Sequence, residues 1–214
     1  MNFLPENIDS YIESHTTEEP ELLKELNRET YAKILVPRML SGHYQGRLLS
    51  MLSYMIKPKR ILEIGTYTGY SALCLAEGLH EQGLIHTIDI NEELEHFVRQ
   101  YLNQSKYGER IMQHIGDAIQ IVPTLKEEWD IVFIDADKHN YINYYNLVFN
   151  KVKQGGYILV DNVLWSGKVT EESSRESDID TATLHQFNEL VQGDNRVENL
   201  LLGVRDGVMV IRKK

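Results

Sequence analysis

The spacing of apolar residues along the chain changes near residue 60. Before that point, apolar side chains recur three and four positions apart, which is typical of helices buried on one face. This spacing predicts three helices, over Asn7–Glu13, Glu18–Leu35 and Gly46–Ile56, with Thr17 as a candidate cap of the second. We therefore expect residues 1–57 to form a helical N-terminal extension of a single domain that spans all 214 residues.

From Arg60 onward, short apolar runs alternate with helical stretches. Five runs predict strands over Arg60–Ile64, Leu84–Ile88, Ile111–Ile115, Trp129–Ile134 and Tyr157–Val160. Helices are predicted over Tyr70–Leu79, Glu92–Tyr107, Tyr141–Val152 and Ala182–Val191. Two last strands, Val197–Val204 and Val208–Arg212, flank a tight turn. This order predicts an α/β fold with a mostly parallel sheet, helices on both faces and an antiparallel C-terminal hairpin.

Net charge and cysteine content exclude only a few classes of function. The formal net charge of −10 argues against non-specific binding to nucleic acid, which depends on cationic side chains. The single cysteine, Cys74, excludes an intrachain disulfide and is expected to be a small buried side chain. The polar N-terminus does not resemble a signal peptide, and no stretch is apolar enough to span a bilayer. We therefore expect a cytoplasmic protein without a membrane partner.

Two glycines follow the first predicted strand, in the segment Glu63–Ser71 (EIGTYTGYS). Gly65 and Gly69 allow the backbone to approach a ligand, and the helix that begins near Ser71 offers free N–H groups to an anion. The G-x-G-x-x-G spacing of nicotinamide enzymes is absent, because Tyr67 stands where its second glycine would be. A carboxylate is a smaller anion, and S-adenosylmethionine carries one together with positive charges that suit Glu63. The segment predicts a cofactor site; a plain strand-to-helix connection is the alternative.

Acidic residues also end the next two predicted strands. Asp89 can accept hydrogen bonds from both hydroxyls of a ribose, or cap the following helix. Asp117 and Ala118 follow the third strand, where an adenine ring would lie, although Asp117 is equally suited to capping a helix.

Oxygen-bearing side chains follow the fourth and fifth predicted strands. Asp135 ends the run IVFI and is followed by Asp137 and Lys138, while Asp161 and Asn162 end the run YILV. If these two strands are neighbours, two carboxylates and an amide oxygen meet at one edge of the sheet. Such a set, without His or Cys, suits a hard divalent cation: Mg²⁺ first, then Mn²⁺ or Ca²⁺.

Three separated motifs carry a family resemblance: EIGTYTGYS, FIDADKHNYINYY and LVDNVLWSGKV. From about Leu35 to Arg212 the chain resembles the cation-dependent O-methyltransferases, which include plant caffeoyl-coenzyme A enzymes, animal catechol enzymes and bacterial relatives. The resemblance implies a Rossmann-like class I methyltransferase with a seven-stranded sheet. It implies that S-adenosylmethionine is held by Met39, Ser41, Glu63, Gly65, Tyr67, Ser71, Asp89, Asp117, Ala118 and Asp135. It also makes Asp135, Asp161 and Asn162 the metal ligands, and Lys138 a catalytic general base beside Asp135.

The implied chemistry fits these residues. A phenol has a pKa of about 10 and is a poor nucleophile at neutral pH. A divalent cation bound to two adjacent oxygens lowers that pKa, and Lys138 can take or share the proton while the oxygen attacks the sulfonium methyl. The expected acceptor is a small hydroxylated aromatic molecule with two adjacent oxygens, such as a catechol or a caffeoyl-coenzyme A-like compound.

Several positions near the predicted site bear on the acceptor. Gly203 stands near the place where animal catechol enzymes carry an acidic residue, and Asp137 replaces their Trp, as in the caffeoyl-coenzyme A and bacterial branch. Trp165 is a candidate wall of the acceptor pocket, or an ordinary packing residue. The polar segment 166–180 is predicted to be a loop, either a mobile lid or simply solvated.

Other interpretations stay open at this point. An enzyme of the same fold could methylate a hydroxylated uridine in tRNA, with a local basic face around Lys33, Arg38 and Arg47. A nicotinamide-dependent oxidoreductase is disfavoured by the missing glycine, and a binding protein without catalysis by the intact Lys138 and ligand set. The family resemblance also implies a homodimer.

Overall fold

Three helices precede the sheet in the computed structural model, which describes residues 5–214. They are α1 (Glu6–Ser14), α2 (Glu21–Lys33) and α3 (Gly42–Ile56), close to where the apolar spacing predicts them. The second begins three residues later than predicted, because Pro20 rather than Thr17 is its N-cap. Residues 1–4, the start of the predicted extension and of the segment compared with a signal peptide, lie outside the described residues.

Seven strands form one sheet in the order β3-β2-β1-β4-β5-β7-β6. Their bounds are β1 (Arg60–Ile64), β2 (Leu84–Asp89), β3 (Ile111–Ile115), β4 (Trp129–Ile134), β5 (Val152–Val160), β6 (Val197–Leu202) and β7 (Val208–Lys213). The first five strands run parallel, and β7 is antiparallel to both β5 and β6. The predicted class, a Rossmann-like α/β fold with an antiparallel C-terminal hairpin, is confirmed.

Helices cover both faces of this sheet. After α3 they are α4 (Tyr70–Ala76), α5 (Glu95–Gln104), α6 (Ala118–Ile121), α7 (Tyr141–Phe149), α8 (Glu172–Ser177) and α9 (Ile179–Gly193). Neighbouring residues of β1 point to opposite faces, so that Ile61 joins one buried apolar cluster and Leu62 the other. Burial on both faces explains why the parallel strands appear in the sequence as continuous apolar runs. None of the helices within residues 5–214 is long and apolar enough to cross a membrane.

The fifth strand starts earlier than predicted. The sequence predicts a helix as far as Val152 and a strand from Tyr157, but α7 ends at Phe149 and β5 begins at Val152. The pairing with β4 shifts register between Trp129 and Ile131. Gly155, with φ of 75°, accommodates this irregularity inside the strand.

The prediction of a loop over 166–180 is wrong. Short 3₁₀ turns over Trp165–Thr170 lead into α8, and α9 begins at Ile179, three residues before the predicted Ala182. Asp178 caps α9, since its side chain accepts a hydrogen bond from Asp180 N. The helix predicted from Ala182 therefore starts three residues earlier, inside the segment that was predicted to be a loop.

Candidate active site

The polar ends of three adjacent strands meet at one edge of the sheet. Asp135 and Asp161 directly follow Ile134 and Val160, which are paired across β4 and β5. The ladder continues one step beyond the strands, because Asp135 N donates to Ile64 O and Asp161 N donates to Ile134 O, each at 2.9 Å. The expected adjacency of the two carboxylate-bearing segments is therefore present, with the end of β1 beside them.

The turn after β1 packs directly against Asp135. Gly65 has φ of 103°, and a Cβ built on it would lie 1.9 Å from the carbonyl oxygen of Asp135. Its N–H donates to Ile88 O at 2.9 Å, which fixes the turn against β2. Only glycine fits this position, because any side chain would clash with the Asp135 carbonyl. The predicted cofactor turn is therefore in direct contact with the segment that carries the predicted metal ligand Asp135.

Asp89 holds the same turn from the end of β2. Its two carboxylate oxygens accept hydrogen bonds from Tyr67 N at 2.7 Å and Asn91 N at 2.9 Å. Tyr67 itself has φ of 47°, a left-handed conformation that the bond to Asp89 stabilises. Each carboxylate oxygen keeps a further lone pair, so this role leaves Asp89 able to accept from a ribose hydroxyl.

Glu63 is fully buried beneath the turn. Thr87 donates to its Oε2 at 2.5 Å, and Thr66 in turn lies 2.5 Å from the Thr87 hydroxyl. Burial raises the pKa of Glu63 to about 8, in spite of hydrogen bonds with Ser71 and Thr87 that lower it. The negative charges of Asp135 and Asp89 raise this pKa further. Three acidic side chains therefore lie beneath and beside the turn, which suits a ligand that carries positive charge.

A small cleft opens above the turn. Six of the ten predicted cofactor residues line it, together with four that were not predicted: Met39, Leu40, Ser41, Gly65, Thr66, Tyr67, Thr68, Tyr70, Ser71 and Asp135. The hydroxyl of Thr68 is buried there without a hydrogen-bond partner in the protein, so it is free to bind a ligand. Asp117 and Ala118 do not line the cleft; Asp117 caps α6 by accepting from Ile119 N at 2.8 Å.

The segment between α2 and α3 forms one side of this cleft and is held at both ends. The Tyr67 hydroxyl donates to the carbonyl oxygens of Leu35 and Val36, each at 3.3 Å. At the other end, Arg205 Nη1 donates to Leu40 O at 2.9 Å and to Ser41 O. The segment between the second and third predicted helices is therefore a structured wall of the cleft.

Lys138 lies between Asp135 and Tyr141, with 11 % of its side chain exposed. Its Nζ donates to Asp135 Oδ1 at 3.1 Å and to the Tyr141 hydroxyl at 2.6 Å. Tyr141 then donates to Asp161 O at 3.1 Å, which fixes the direction of the chain of hydrogen bonds. The amine is therefore presented to the predicted reaction centre by packing and by two polar partners.

Asp161 is buried, with 3 % of its surface exposed. Its Oδ2 accepts from Gln45 Nε2 at 2.7 Å and its Oδ1 from Asn162 N at 2.8 Å. Burial and the nearby charge of Asp135 raise the pKa of Asp161 to about 7. Two close carboxylates in a dry site repel each other, and a bound cation would offset this repulsion.

The donor set is small but suited to a hard cation. Within residues 5–214, no group of three or more His, Cys, Asp or Glu side chains is arranged to hold a metal ion. The candidate centre therefore rests on two carboxylates and one amide oxygen, from Asp135, Asp161 and Asn162. All three are oxygen donors, and water and an acceptor would complete the coordination that Mg²⁺ requires.

Trp165 lies near Lys138, at the start of the 3₁₀ turns that follow β5. Its ring centroid is 5.9 Å from Lys138 Nζ, and its indole N–H donates to Asp178 Oδ2 at 3.4 Å. Trp165 and Ser166 both have positive φ, 47° and 54°. The ring packs against the core and also borders the reaction centre, so both of the roles considered for it are compatible with its position.

Sequence reasoning missed Gln45 and Arg205. Gln45 falls one residue before the predicted third helix, but α3 begins at Gly42 and places its side chain against Asp161. Arg205 belongs to a turn whose sequence indicates only a hairpin. The one signal available is a polar residue at the start of an apolar helix, and it does not identify a partner that is 116 residues away in sequence.

Comparison with known proteins decides the family. A family model described as O-methyltransferase matches residues 13–214. The chain belongs to the O-methyltransferase family. The membership expected from the three motifs is confirmed, and this O-methyltransferase is an S-adenosylmethionine-dependent enzyme.

Plant enzymes and microbial structures are among the relatives of this O-methyltransferase. It is 36 % identical to the caffeoyl-CoA O-methyltransferase of Petroselinum crispum, over 91 % of this chain and 85 % of the relative. It is 37 % identical to caffeoyl-CoA O-methyltransferase 2 of Zea mays, over 91 % and 77 %. The SAH-bound methyltransferase PaMTH1 of Podospora anserina superposes with a TM-score of 0.90 at 28 % identity, covering 100 % of this chain and 99 % of that one. The O-methyltransferase TomG of Streptomyces achromogenes, in complex with SAM, gives 0.87 at 27 % identity, covering 97 % and 96 %.

Proposed function

We propose that this O-methyltransferase transfers the methyl group of S-adenosylmethionine to one of two adjacent oxygens of a small hydroxylated aromatic molecule, with a divalent cation at Asp135, Asp161 and Asn162. One observation carries the proposal: Gly65 of the cofactor turn packs on the backbone of Asp135, which follows the strand next to that of Asp161. A donor in the cleft and an acceptor at the carboxylates would therefore be neighbours, and holding two reactants together is a large part of catalysis.

Asp135, Asp161 and Asn162 would hold the cation, Mg²⁺ in the first place and Mn²⁺ or Ca²⁺ otherwise, and its Lewis acidity would lower the pKa of an acceptor hydroxyl at the site. The two carboxylates of Asp135 and Asp161 would balance the positive charge of the cation. Asn162 adds a neutral oxygen. The raised pKa of Asp161, caused by burial and by Asp135, supports this assignment, because it indicates a negative charge without sufficient compensation in the protein alone.

We assign removal of the acceptor's hydroxyl proton to Lys138. Its Nζ lies 3.1 Å from Asp135 Oδ1, and it also donates to the Tyr141 hydroxyl. Nζ would take the hydroxyl proton of the acceptor, or share it, while the methyl group moves from the sulfonium sulfur to the acceptor oxygen. The products are the methyl ether and S-adenosylhomocysteine.

The cofactor roles that we propose are those that the family resemblance implies. Glu63, Gly65, Tyr67 and Ser71 would surround the methionine part, Asp89 the ribose, and Asp117 and Ala118 the adenine. Met39 and Ser41 would cover the bound cofactor. The unpaired Thr68 hydroxyl and the acidic groups beneath the turn support this placement, because they fit a ligand that offers both hydrogen-bond acceptors and positive charge.

The acceptor we favour is a catechol-type or caffeoyl-coenzyme A-like compound, with Trp165 as a wall of its pocket. The names of the plant relatives support it. The alternative, a hydroxylated uridine in tRNA, gains no support from the relatives, and the net charge of −10 weighs against it. A homodimer, a cytoplasmic location and the division into an N-terminal extension and a catalytic region stay predictions.

One experiment tests the cation and the acceptor together. The protein is incubated with labelled S-adenosylmethionine and a panel that contains catechol, caffeoyl-coenzyme A, total tRNA and a monohydroxy phenol as a matched control. We expect label on the vicinal diols only, loss of transfer in EDTA and recovery with excess Mg²⁺. Transfer that persists in EDTA would contradict the cation role, and label on tRNA alone would contradict the acceptor.

A further inference from the structure

Gln45 reaches the candidate cation ligand from a different part of the fold. Its side chain is 1 % exposed at the start of α3, and its Nε2 donates to Asp161 Oδ2 at 2.7 Å. The other Asp161 oxygen accepts from Asn162 N, so both oxygens have one fixed donor. Each oxygen keeps a lone pair, and the plane in which those lone pairs lie is set by these two donors.

Arg205 lies at the oxygen end of the Gln45 amide. Its Nη1 lies 3.4 Å from Gln45 Oε1. A guanidinium group has donors and no acceptor, so the amide oxygen must face Arg205 and the NH₂ group must face the carboxylate. The opposite orientation would place an amide oxygen against a carboxylate oxygen and two sets of donors against each other.

Arg205 is itself held in place by the wall of the cofactor cleft. The same Nη1 donates to Leu40 O and Ser41 O, in the segment that lines the cleft. Its backbone has φ of 48° in the turn between β6 and β7. The C-terminal hairpin, the start of α3 and Asp161 are thus joined by one short chain of hydrogen bonds.

We propose that Gln45 is a positioning residue that fixes Asp161 for cation binding, and that Arg205 acts through Gln45 by setting the orientation of its amide. The inference rests on the cation role proposed above. A ligand held by a neighbouring hydrogen bond loses less freedom on binding a cation, and removal of such outer partners typically weakens metal affinity about 10- to 100-fold.

The test measures Mn²⁺ binding to the whole chain by electron paramagnetic resonance of the free ion, without cofactor or acceptor. Gln45→Met keeps the length of the side chain and removes its donor, and we expect about 10- to 100-fold weaker binding. Arg205→Met, which does not touch Asp161, should weaken binding by a smaller factor. Arg205→Lys retains a donor and should restore most of that loss.

The double variant separates action through Gln45 from a general structural effect. Once residue 45 has no amide to orient, removal of Arg205 should add nothing, so Gln45→Met/Arg205→Met should bind Mn²⁺ as Gln45→Met does. Multiplied effects in the double variant would overturn the role of Arg205. Should Gln45→Met fail to fold, the contrast between Arg205→Met and Arg205→Lys still decides, because equal binding by these two would overturn the same claim.

Ser50→Ala is the matched control. Ser50 is also buried in α3 and donates to Glu77 Oε2 at 2.6 Å, away from Asp161. It should leave Mn²⁺ binding unchanged, and calorimetric titration with S-adenosylhomocysteine should show that it and Gln45→Met both keep the cofactor cleft. Equal Mn²⁺ affinity of Gln45→Met and the unaltered chain would overturn the inference alone. No Mn²⁺ binding by the unaltered chain would contradict the cation role and the inference with it.

Discussion

Three carboxyl groups collect where β1, β4 and β5 end, and their surroundings differ. Asp135 accepts a hydrogen bond from the Lys138 side chain, whereas Glu63 and Asp161 are buried and accept hydrogen bonds from neutral donors. Burial accordingly raises the pKa of Glu63 to about 8 and that of Asp161 to about 7. Negative charge at these carboxyl groups is therefore unfavourable in the protein alone, and positively charged ligands would stabilise it. The contribution of each carboxyl group can be tested by a single substitution.

Substitution of Gly65 by alanine should abolish cofactor binding. The added Cβ would lie 1.9 Å from the Asp135 carbonyl oxygen, and φ of 103° is strained for any other residue. We expect a loss of at least about 2 kcal/mol in the free energy of unfolding and no measurable binding of S-adenosylhomocysteine by calorimetry. Gly193→Ala, at a position with no atom within 4 Å of the new Cβ, is the control and should bind normally. Normal binding by Gly65→Ala would mean that the turn moves freely.

Glu63→Gln should make the ligand-free protein more stable, by an amount that depends on pH. The carboxyl has a pKa of about 8 in the folded chain against 4.5 as its model value, so the folded state holds a proton that the unfolded state releases. Stability from this group is therefore full below pH 4.5 and is lost as pH rises towards 8. Glutamine does not ionise, so its advantage should grow over that interval and then level off, at no more than about 5 kcal/mol.

Urea unfolding at a series of pH values measures this difference. Thr66→Val is a useful companion, because it removes a hydroxyl next to Thr87 but no ionisable group. Its effect on stability should vary with pH much less than that of Glu63→Gln. A pH-independent difference between Glu63→Gln and the unaltered chain would show that the Glu63 carboxyl is not buried in the way described.

At the scale of elements, Asp178 links the start of α9 to Trp165. Its Oδ1 accepts from Asp180 N at 3.2 Å, and its Oδ2 accepts from the Trp165 indole N–H at 3.4 Å. Asp178→Ala should cost about 1 kcal/mol of stability through the lost cap and should raise the KM for the acceptor several-fold, because Trp165 loses its anchor. Binding of S-adenosylhomocysteine should not change.

A second variant separates the two roles of Asp178. Asp178→Ser keeps a capping hydroxyl but is too short to reach the indole, so it should recover the stability while the KM for the acceptor stays raised. Steady-state kinetics with the acceptor found in the panel, together with thermal unfolding, measure both quantities. Recovery of KM together with stability would mean that Trp165 is only a packing residue.

The elements that sequence predicts well are those with strong local signals. β1, β4 and the turn at Gly65 follow from continuous apolar runs and glycines, and their strand ends also locate Asp135 and Asp161. The first half of β5 is missed because Gly155 produces an irregularity inside a strand and not a turn. α8 is missed because a short, exposed, polar helix has no apolar face to reveal it. Gln45 is missed because its contact depends on tertiary packing between α3 and the end of β5.

At the scale of the whole molecule, the strand order explains why the site lies where it does. β1 is paired with β2 on one side and β4 on the other, so its C-terminal turn lies inside the sheet, beside the ends of both. The antiparallel β7 pairs with β5 and brings the hairpin turn back over the same edge, where Arg205 reaches the cleft wall. Sites in open α/β sheets form at such a point, where successive strands are added on opposite sides.

A cation that binds only the folded chain must raise its melting temperature, and this gives a test that needs no acceptor. If Asp135, Asp161 and Asn162 hold Mg²⁺, a concentration of 100 times Kd should add about 2.7 kcal/mol to the free energy of unfolding. Asp161→Asn removes a buried charge beside Asp135, so its melting temperature without Mg²⁺ should be higher than that of the unaltered chain, while Mg²⁺ should add little. Because Asp161 is not part of the cleft lining, binding of S-adenosylhomocysteine should survive the substitution.

The control for that experiment is NaCl at equal ionic strength, because screening of repulsion between surface charges also stabilises an acidic protein with a net charge of −10. Screening acts on the unaltered chain and on Asp161→Asn alike, whereas site binding distinguishes them. Equal gains from Mg²⁺ in both proteins would therefore assign the effect to the surface and remove the cation from the proposed mechanism. A gain confined to the unaltered chain, together with loss of methyl transfer in Asp161→Asn, would place cation binding and catalysis at the same carboxylate.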